Sequence, residues 1–427
     1  MASVGRNRGR CRTLTGDVLS RLQMDPGSLA AFRDGRLRDF VAAAVRTVPF
    51  YERLFRDLRL RPDDIVGLDD MRKIPVLTKA TVSERSSEFI ACNARHGDFT
   101  RRRHADPVAL ASLPWTREAR WERAAVQLRF ERRHGIAPGT WCAYFGGTNV
   151  VPTTQTRPPF WRIDWPGRRV IFSPYHLSEQ TVETYADALN SYQCPWLHGN
   201  PDVLAALAGV MSAARLTVDY PVPWITTTGE RLLGVQRRTL SRMFGAVPKR
   251  SYIDPLGAAS VTERPDGTLV IDQDYAAVEL LPTADPGTYQ LVGTNLSNTA
   301  APLLRYDTGV TVWCADAPAD SAAPRIVSSL DGPSYDLVTL PSGARIGRLE
   351  RMFDDLPQVH AARILQHAGL TIDIDIVMIP GHAPEEARSV LGRITGRCGS
   401  AVMRVCLPHA ESRSRSPCRC ALLCLSL

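Results

Sequence analysis

The sequence predicts an α/β protein with a large N-terminal body of parallel sheet covered by helices, an antiparallel subdomain, and a small α+β C-terminal domain. Three features of the 427 residues predict this fold class. Short apolar runs alternate with amphipathic helical segments from Trp141 to Gly245. Closely spaced strand-like segments follow residue 268. The strictly alternating segment LTIDIDIVMIP then precedes one more helical segment near the C-terminus.

The N-terminal segment combines basic charge with an amphipathic helix. Four arginines and no acidic residue occur in the first twelve positions, at Arg6, Arg8, Arg10 and Arg12. Residues 1–30 are therefore predicted to be a basic disordered tail, with a phosphate-contacting arm as the alternative. A helix follows, and Pro49 ends it. Its apolar face is formed by Leu37, Phe40, Val41, Ala44 and Val45.

The central part of the chain predicts parallel strands connected by helices. Val170–Phe172 is a predicted buried strand, and PWLHGNP is a predicted strand and turn that places Pro201 in the first turn of the next helix. After a further strand and turn in WITTTGE, a helix is predicted to end at Gly245, because glycine suits a helix C-terminus. Repetition of strand and helix in this order is typical of a parallel sheet covered by helices.

The C-terminal third changes character. LVIDQDYAAVELLP and YQLVGTNL lie close together, which predicts antiparallel pairing, and DLVTLPSGARIG predicts a hairpin that turns at Ser342-Gly343. A boundary is predicted near Asp331-Gly332. The predicted organisation is a tail (1–30), an N-terminal domain (31–331), a small C-terminal α+β domain (332–405) and an irregular tail (406–427).

Charge and hydropathy exclude several classes of protein. The net charge of +8 comes from arginines dispersed over predicted helix surfaces, and no nucleic-acid recognition motif accompanies them. No apolar run is long enough to span a bilayer, and the first residues lack the apolar core of a signal peptide. We therefore expect a cytoplasmic protein with free thiols that binds neither nucleic acid nor membrane. A homodimer is left open.

The most informative motif is NLSNTAAPLLRYDTGV, residues 295–310. Arg305 and Asp307 are two positions apart, so in an extended segment both side chains would lie on one face. A guanidinium suits phosphate, and a carboxylate suits a pair of sugar hydroxyls. The simpler interpretation is a strand that ends in an ion pair between these two residues.

Several segments, taken in order, resemble the adenylate-forming (AMP-binding) enzyme superfamily, in particular its phenylacetate–CoA ligase and CapK-like branch. The resemblance extends from Leu37 to Arg397 and is carried by IPVLTKATV, WCAYFGGTNVVP, SPYHLSEQTVETYADAL, WLHGNP, ITTTGERL and NLSNTAAPLLRYDTG. It implies a mobile C-terminal domain and ATP-dependent conversion of an aryl or acyl carboxylic acid into an acyl-adenylate, with Mg²⁺ offsetting phosphate charge. It further implies transfer of the acyl group to coenzyme A or another thiol acceptor.

The resemblance also implies roles for individual residues. Asp307 would hold the ribose, and Arg305 would support its loop or approach phosphate as a catalytic cation. The other residues implied at the nucleotide are Thr228, Gly229, Glu230 and Gly257, with Asp336 at the hinge. The implied acid pocket contains Phe145, Gly146, Gly147, His198, Gly199 and Asn200. Each has a structural alternative: Gly146-Gly147 a plain loop, His198 a satisfied core histidine.

The phosphate-binding loop of this family is not recognisable here. Glycine and hydroxyl residues are expected just before Trp115, but the stretch TRRRHADPVALASLP contains no glycine. Its basic cluster, Arg101 to His104, would supply only unstructured charge. Two compensating reading-frame shifts across 101–114 would explain the departure.

Other catalytic groups of the family are also replaced. Leu256 and Ser260 occupy the positions of a tyrosine and a glutamate, which leaves Glu263 as the candidate catalytic carboxylate and Mg²⁺ ligand. Proline follows Gly332 where the hinge motif has arginine. No lysine occurs after Lys249, so the catalytic lysine of the C-terminal domain is absent. The two interpretations are a ligase, impaired or not, and a catalytically degenerate nucleotide- or acyl-binding relative.

Overall fold

The computed structural model shows a mixed α/β chain with two compact units. It describes residues 8–95, 97, 113–146, 150–152, 155–229, 231–314 and 325–331, and the strands 338–339, 345–346, 359–366, 372–378 and 403–406. Unit 1 comprises Met1–Thr140, Thr227–Arg231 and Lys249–Pro333. Unit 2 comprises Trp141–Thr226, Leu232–Pro248 and Ser334–Leu427. The units divide the predicted 31–331 body, and the predicted domain limits stay a prediction.

The described helices and strands account for most of the predicted elements. The α-helices are α1 (Arg8–Ser20), α2 (Pro26–Thr47), α3 (Pro49–Asp57), α4 (Lys79–Glu84), α5 (Arg117–Arg133), α6 (Val182–Tyr192), α7 (Pro201–Ala213) and α8 (Gly234–Phe244). The strands are β1 (Cys142–Phe145), β2 (Trp161–Asp164), β3 (Arg169–Phe172), β4 (Trp196–Gly199), β5 (Trp224–Thr228), β6 (Lys249–Ile253), β7 (Ser260–Glu263), β8 (Leu269–Ile271), β9 (Ala276–Pro282), β10 (Thr288–Asn295), β11 (Tyr306–Trp313), β12 (Ile326–Val327), β13 (Ser329–Asp331), β14 (Val338–Thr339), β15 (Arg345–Ile346), β16 (Val359–Gln366), β17 (Ile372–Met378) and β18 (Met403–Cys406). Among the helices so described, none combines the length and apolar character needed to cross a bilayer.

The N-terminal region is helical where a disordered tail was predicted. α1 covers Arg8–Ser20, and Asp25 caps α2 by accepting a hydrogen bond from the Ser28 amide at 3.0 Å. Val18 is fully buried in the same cluster as Val126 of α5. The prediction was wrong for residues 8–30 because the arginines dominate the composition of the segment and mask the few apolar positions that pack.

The first long helix follows the apolar pattern of its sequence. α2 buries the predicted face and ends at Thr47, ahead of Pro49, which begins α3. The buried members of that face are Leu37, Phe40, Val41 and Ala44, and Val45 is half-buried. Spacing alone was enough here because the helix packs through a single continuous stripe.

Unit 1 contains antiparallel sheet, as predicted after residue 268. The strands β12, β8, β7 and β6 pair in that order, and a second sheet has the order β13-β11-β10-β9. Val292 of β10 pairs with Asp307 of β11 on one side and with Glu279 of β9 on the other. The second sheet therefore places the start of β11 level with the middle of β9.

A buried ionic network joins α2 and α5 to the connection between β8 and β9. Arg129 of α5 is 2% exposed, donates to both carboxylate oxygens of Asp274 at 2.8 and 3.1 Å, and lies 2.9 Å from Asp272. Arg33 of α2 is fully buried and donates to the side chain of Gln273. Buried charges are stable only when they are paired and hydrogen-bonded, so these contacts fix both helices on residues 272–274.

Unit 2 is built on the predicted parallel sheet. Its strands follow the order β5-β4-β1-β3-β2, in which β1 is parallel to β3 and β4, and β2 is antiparallel to β3. Phe145, Phe172 and Leu197 are fully buried in one cluster with residues of α6, α7 and α8. The α/β fold class is therefore confirmed, and α8 ends at Gly245 as predicted, with a φ of +78°.

The C-terminal region is described only as strands. β14 and β15 are antiparallel with Val338 opposite Ile346, as the predicted hairpin requires. β17, which covers most of the alternating segment, is antiparallel to β16 and parallel to β18. The helix predicted from APEEARSVLGRITGR, residues 383–397, and the predicted tail beyond residue 406 lie outside the described residues.

The substitution Asp274→Asn tests the buried network. It leaves the guanidinium of Arg129 with fewer charged partners, and we expect the free energy of unfolding to fall by about 3 kcal/mol, the lower end for a broken buried pair. Urea unfolding measures the loss. Asp285→Asn, an exposed change in the turn between β9 and β10, is the control and is expected to stay within about 0.5 kcal/mol of wild type. Equal stability of both variants would contradict the role of the network.

The same carboxylate predicts a pH dependence. Burial alone would raise the pKa of Asp274, but the positive charge of Arg129 outweighs burial and holds the pKa below its ordinary value of 3.8. The stabilisation is therefore fully present above about pH 4 and is lost as the pH falls through the lower pKa of the folded state. Unfolding measured from neutral to acidic pH should show a smaller acid-induced loss in Asp274→Asn than in wild type.

Candidate functional site

Arg305 anchors the backbone of the predicted nucleotide motif. It lies just before β11 with a φ of +53°, so the prediction that it shares one extended segment with Asp307 is wrong. Its guanidinium donates to both carboxylate oxygens of Glu279 at 3.0 to 3.1 Å and to the carbonyl of Ile74 at 2.5 Å. Its donors are directed to protein groups, an arrangement that favours the supporting one of its two expected roles, and the role itself stays a prediction.

Asp307 presents a carboxylate without a cationic partner in the described part of the chain. One oxygen accepts a hydrogen bond from Gln290 Nε2 at 2.6 Å, and the other accepts from the Gly309 amide at 2.9 Å. The side chain is half-buried. The ion pair with Arg305 that the simpler interpretation required is not formed. A carboxylate held by two neutral donors keeps acceptor capacity on both oxygens, as a pair of sugar hydroxyls requires.

The IPVLTKATV segment is fixed beside this motif by backbone hydrogen bonds. The Leu77 amide donates to the Arg305 carbonyl at 2.8 Å, and the Asp307 amide donates to the Leu77 carbonyl at 2.9 Å. These bonds form a parallel bridge between Leu77 and Tyr306. Two segments more than 200 residues apart, both of which resemble the adenylate-forming family, are therefore adjacent in unit 1.

Lys79 is the lysine whose ammonium makes no ion pair or hydrogen bond within the described structure. It is the first residue of α4, two positions after Leu77, and it is exposed. Lys73 and Lys249, the other two lysines of the chain, each lie within 3.4 Å of a carboxylate. Lys79 is thus an exposed cation two residues from Leu77, whose backbone is hydrogen-bonded to those of Arg305 and Asp307.

Two turns of the implied nucleotide site depend on glycine. Gly229, after Thr228 at the end of β5, has a φ of +92°, and Gly257 has a φ of +80°. A Cβ on Gly257 would lie 2.5 Å from Asn295 Nδ2 and 2.9 Å from the Trp115 ring. The turn at Gly257 is therefore close-packed on the first residue of the motif, and its glycine has a structural reason.

Glu263 is a buried carboxylate that is paired with two basic side chains. It is 1% exposed at the end of β7, and its carboxylate lies 3.1 Å from Arg250 Nε and 3.4 Å from Lys249 Nζ. Ser260, at the position of the family glutamate, donates to Asp272 at 2.6 Å. Within the described segments, no group of three or more His, Cys, Asp or Glu side chains could hold a metal ion. A carboxylate that is buried and paired with two basic side chains does not fit the role of Mg²⁺ ligand expected of Glu263.

The predicted acid-pocket residues of unit 2 lie at the carboxyl ends of β1 and β4. Phe145 is stacked on Phe172 with ring centroids 4.7 Å apart, and its carbonyl accepts a hydrogen bond from the Asn200 amide at 3.0 Å. A Cβ on Gly199 would lie 2.1 Å from that same carbonyl. Gly146 follows at the end of β1. Ligands of α/β sheets bind at this edge of the parallel strands.

His198 sits at this edge as a neutral imidazole. Its Nδ1 lies 2.8 Å from Thr226 Oγ1, and its ring centroid lies 5.6 Å from that of Tyr144 and 5.5 Å from that of Trp196. Burial, and then the positive charge of Arg169, lowers the pKa of His198 to about 4. The structural alternative accounts for Nδ1 but leaves Nε2 without a partner among the described residues.

Three predicted site residues lie outside the described residues, and three orienting residues were not predicted. The first set is Gly147, Glu230 and Asp336. The second set is Glu279, Gln290 and Thr226. A signal existed for Glu279 and Gln290, because each is a polar residue inside a strand-like run, AAVELLP or YQLVG. Nothing in the sequence indicated which residue each one would bind.

Comparison with known proteins gives a partial sequence match. No protein-family model matches the chain. A protein named CapK from Staphylococcus aureus is 27% identical over 183 residues, which is 43% of this chain. The match covers 40% of the length of that relative, so what the whole relative does is not transferred to this chain by the match.

Solved structures match over nearly the whole chain. A 2-hydroxyisobutyryl-CoA ligase, in an open conformation in complex with 2-HIB-AMP and CoA, aligns with a TM-score of 0.54 at 16% identity, covering 91% of this chain and 90% of that one. The same ligase in the postadenylation state with R3-HIB-AMP gives 0.53 at 16% identity, with 91% and 88% covered. The chain has the adenylate-forming ligase fold. The resemblance inferred from the sequence motifs is confirmed at the level of the fold.

The ion pair between Arg305 and Glu279 can be tested by a double-mutant cycle. We expect Arg305→Met and Glu279→Met each to lower the free energy of unfolding, and the double variant to lose less than the sum of the two. A coupling of about 1–3 kcal/mol is expected for two residues in one hydrogen-bonded network. Urea unfolding of the four proteins in the cycle measures it. Additive losses would show that Arg305 does not depend on Glu279.

Proposed function

We propose that this chain activates a carboxylic acid with ATP to form an acyl-adenylate and transfers the acyl group to a thiol such as coenzyme A. The observation that carries the proposal is Asp307. Its carboxylate is held in place by Gln290 and the Gly309 amide while a cation that would neutralise it is absent from the described residues. The adenylate-forming fold of the chain supports the same reaction class.

Unit 1 supplies the residues for the nucleotide. Asp307 would accept hydrogen bonds from both ribose hydroxyls, because vicinal hydroxyls are donors and a carboxylate has an acceptor oxygen for each. Thr228 and Gly229 form a turn whose positive φ lets the backbone approach a planar base without a Cβ. Arg305 positions this strand through Glu279, and its role is support of Asp307.

Unit 2 supplies the residues for the acid. The carboxyl ends of β1 and β4 carry Phe145, Gly146 and His198, and the stacked phenyl rings behind them give the edge an apolar floor. Phenylacetate-like aromatic acids are the class we propose, because the rings of Tyr144 and Trp196 flank His198 at this edge.

The proposed reaction has two displacements. A carboxylate oxygen of the acid attacks the α-phosphorus of ATP, the new bond joins acid and AMP, and pyrophosphate leaves with the pair of electrons. The sulfur of the thiol then attacks the acyl carbon, AMP leaves, and the thiol proton is released. Both steps gain from positive charge near the phosphate oxygens. Lys79 is the cation we assign there, since it is exposed and unpaired among the described residues, while Glu263, the carboxylate expected to hold Mg²⁺, is buried and paired.

The alternative function is that of a nucleotide- or acyl-binding relative without turnover. It is favoured by the chain's lack of any lysine after Lys249 and by the glycine-free stretch 101–114, most of which lies outside the described residues. Adenylation needs charge stabilisation in its transition state, whereas ribose binding does not. Exchange of labelled pyrophosphate into ATP, measured with a panel of aryl and acyl acids, separates the two functions. ATP binding without exchange above background would favour the alternative.

The ribose assignment is tested by Asp307→Ala. Loss of two hydrogen bonds to a charged acceptor should weaken ATP binding by about 10- to 100-fold, equivalent to about 1.5–3 kcal/mol. Isothermal titration calorimetry measures the affinity. Asp285→Ala removes an exposed carboxylate from the turn between β9 and β10 and should leave the affinity unchanged. An Asp307→Ala variant that binds ATP like the control would remove the main support for the proposed function.

The role of Lys79 is tested by Lys79→Met. We expect pyrophosphate exchange to fall by at least about tenfold, short of the roughly 100-fold typical of a buried donor because Lys79 is exposed to water. Lys73→Met, the same change at a lysine paired with Asp70, is the matched control and should retain wild-type exchange. Equal rates in the two variants would show that the cation acting on phosphate comes from elsewhere.

A further inference from the structure

Thr226 links two aromatic side chains of unit 2 through its hydroxyl. Trp196 Nε1, which can only donate, lies 2.7 Å from Thr226 Oγ1, and His198 Nδ1 lies 2.8 Å from the same oxygen. Thr226 is 1% exposed. We call this arrangement the Trp196–Thr226–His198 relay. It ties a residue of β5 to two residues that share one face of β4.

The relay determines which nitrogen of His198 carries the proton. Thr226 Oγ1 accepts from Trp196, so its own hydroxyl proton needs an acceptor, and His198 Nδ1 is the one within reach. A proton on Nδ1 could go to the Thr226 carbonyl, but that contact is longer, at 3.2 Å. It would also leave a buried hydroxyl proton unsatisfied, which costs about 1–3 kcal/mol. Donor counting therefore places the proton on Nε2.

The ring of His198 is held rigidly in this state. Tyr144 is its register partner on β1, and the Tyr144 and Trp196 rings lie next to the imidazole at centroid distances of 5.6 and 5.5 Å. The following residue, Gly199, has no room for a Cβ against the Phe145 carbonyl, so the backbone position is also fixed. The depressed pKa of His198, caused first by burial, keeps the imidazole neutral at physiological pH.

Nε2 is the ring nitrogen of His198 that makes no contact with Thr226. It has no hydrogen-bond partner in the described part of the chain, and it does not belong to the polar atoms sealed from solvent there. A fixed N–H at the edge of an acid pocket would recognise an acceptor atom on the acid. An acid without that acceptor would leave the donor desolvated and unpaired, and such sites discriminate strongly.

We infer that His198 is a specificity-determining residue that donates its Nε2–H to an oxygen atom on the acyl part of the substrate, so the site selects hydroxy- or oxo-substituted aromatic acids over their unsubstituted parents. The inference rests on the proposed function for the location of the acid. The Trp196–Thr226–His198 relay then sets the tautomer of the His198 imidazole that recognises the acid.

Matched acids test the inference without requiring turnover. Binding of phenylacetate, mandelate and phenylglyoxylate, and of the ring-substituted 3- and 4-hydroxyphenylacetates, is measured by isothermal titration calorimetry. We expect at least one oxygen-bearing acid to bind about tenfold or more tightly than phenylacetate, the effect of one satisfied hydrogen bond. Phenylglyoxylate can only accept a hydrogen bond through its added oxygen, so a preference for it identifies His198 as the donor.

Variants separate the role of His198 in recognition from the role of the relay in setting its tautomer. His198→Phe should abolish the preference, so that the ratio of the affinities for the oxygen-bearing acids and for phenylacetate falls to about one. Thr226→Ser keeps the hydroxyl and should keep the preference, whereas Thr226→Val should reduce it. The ¹⁵N chemical shifts of the His198 ring report the tautomer directly. A proton on Nδ1, or a preference that survives His198→Phe, would overturn the inference, and so would failure of all five acids to bind.

The inference and the proposed function fail in different ways. Acids that bind with the expected preference but support no pyrophosphate exchange would remove the ligase function and leave the role of His198 standing. Exchange that proceeds equally well with phenylacetate and its oxygen-bearing relatives would keep the function and remove the role of His198.

Discussion

The pairing of buried arginines with residues 272–274 is the interaction on which unit 1 depends. Arg33 and Arg129 come from helices almost a hundred residues apart, and both end on this one connection between β8 and β9. Each charge has left water and remains stable only while its partner is in place. Because β9 begins directly after the connection and carries Glu279, the position of Arg305 and of the strand behind Asp307 follows from the same network.

The arginines and the lysines of the chain serve different purposes. Its basic residues are arginines apart from Lys73, Lys79 and Lys249, and Arg129 and Arg305 of unit 1 are bound to carboxylates and to a carbonyl. Arginine suits that work because its planar fork satisfies two acceptors at once, while lysine is a compact and mobile charge. A chain with so few lysines has few groups that can follow a phosphate as it is transferred. The described residues leave Lys79 as the lysine for that task.

The sequence predicted local structure well and long-range partners poorly. The apolar stripe of α2, the glycine end of α8 and the strand β17 were each predicted from neighbours in sequence, and each is found. The α1 helix was missed because Val18 is buried by a partner on α5 that periodicity cannot supply. The site shows the same limit. Asp307 was found from its motif. Its neutral donor Gln290, and Glu279, which binds Arg305, could not be found in this way because both contacts depend on strand register.

The close approach of Gly199 to the Phe145 carbonyl has a consequence for how such a pocket changes over time. Any side chain at 199 collides with the backbone of the neighbouring strand, so that position is closed to variation. In the proposed acid pocket, the side chains of Tyr144, His198 and Thr226 lie beside this position, and replacing them does not create that collision with the backbone. Changes in acid preference are therefore expected to occur by replacement of a few side chains on an unchanged backbone. A lineage that duplicated this chain would be expected to diverge at those positions while keeping its glycine.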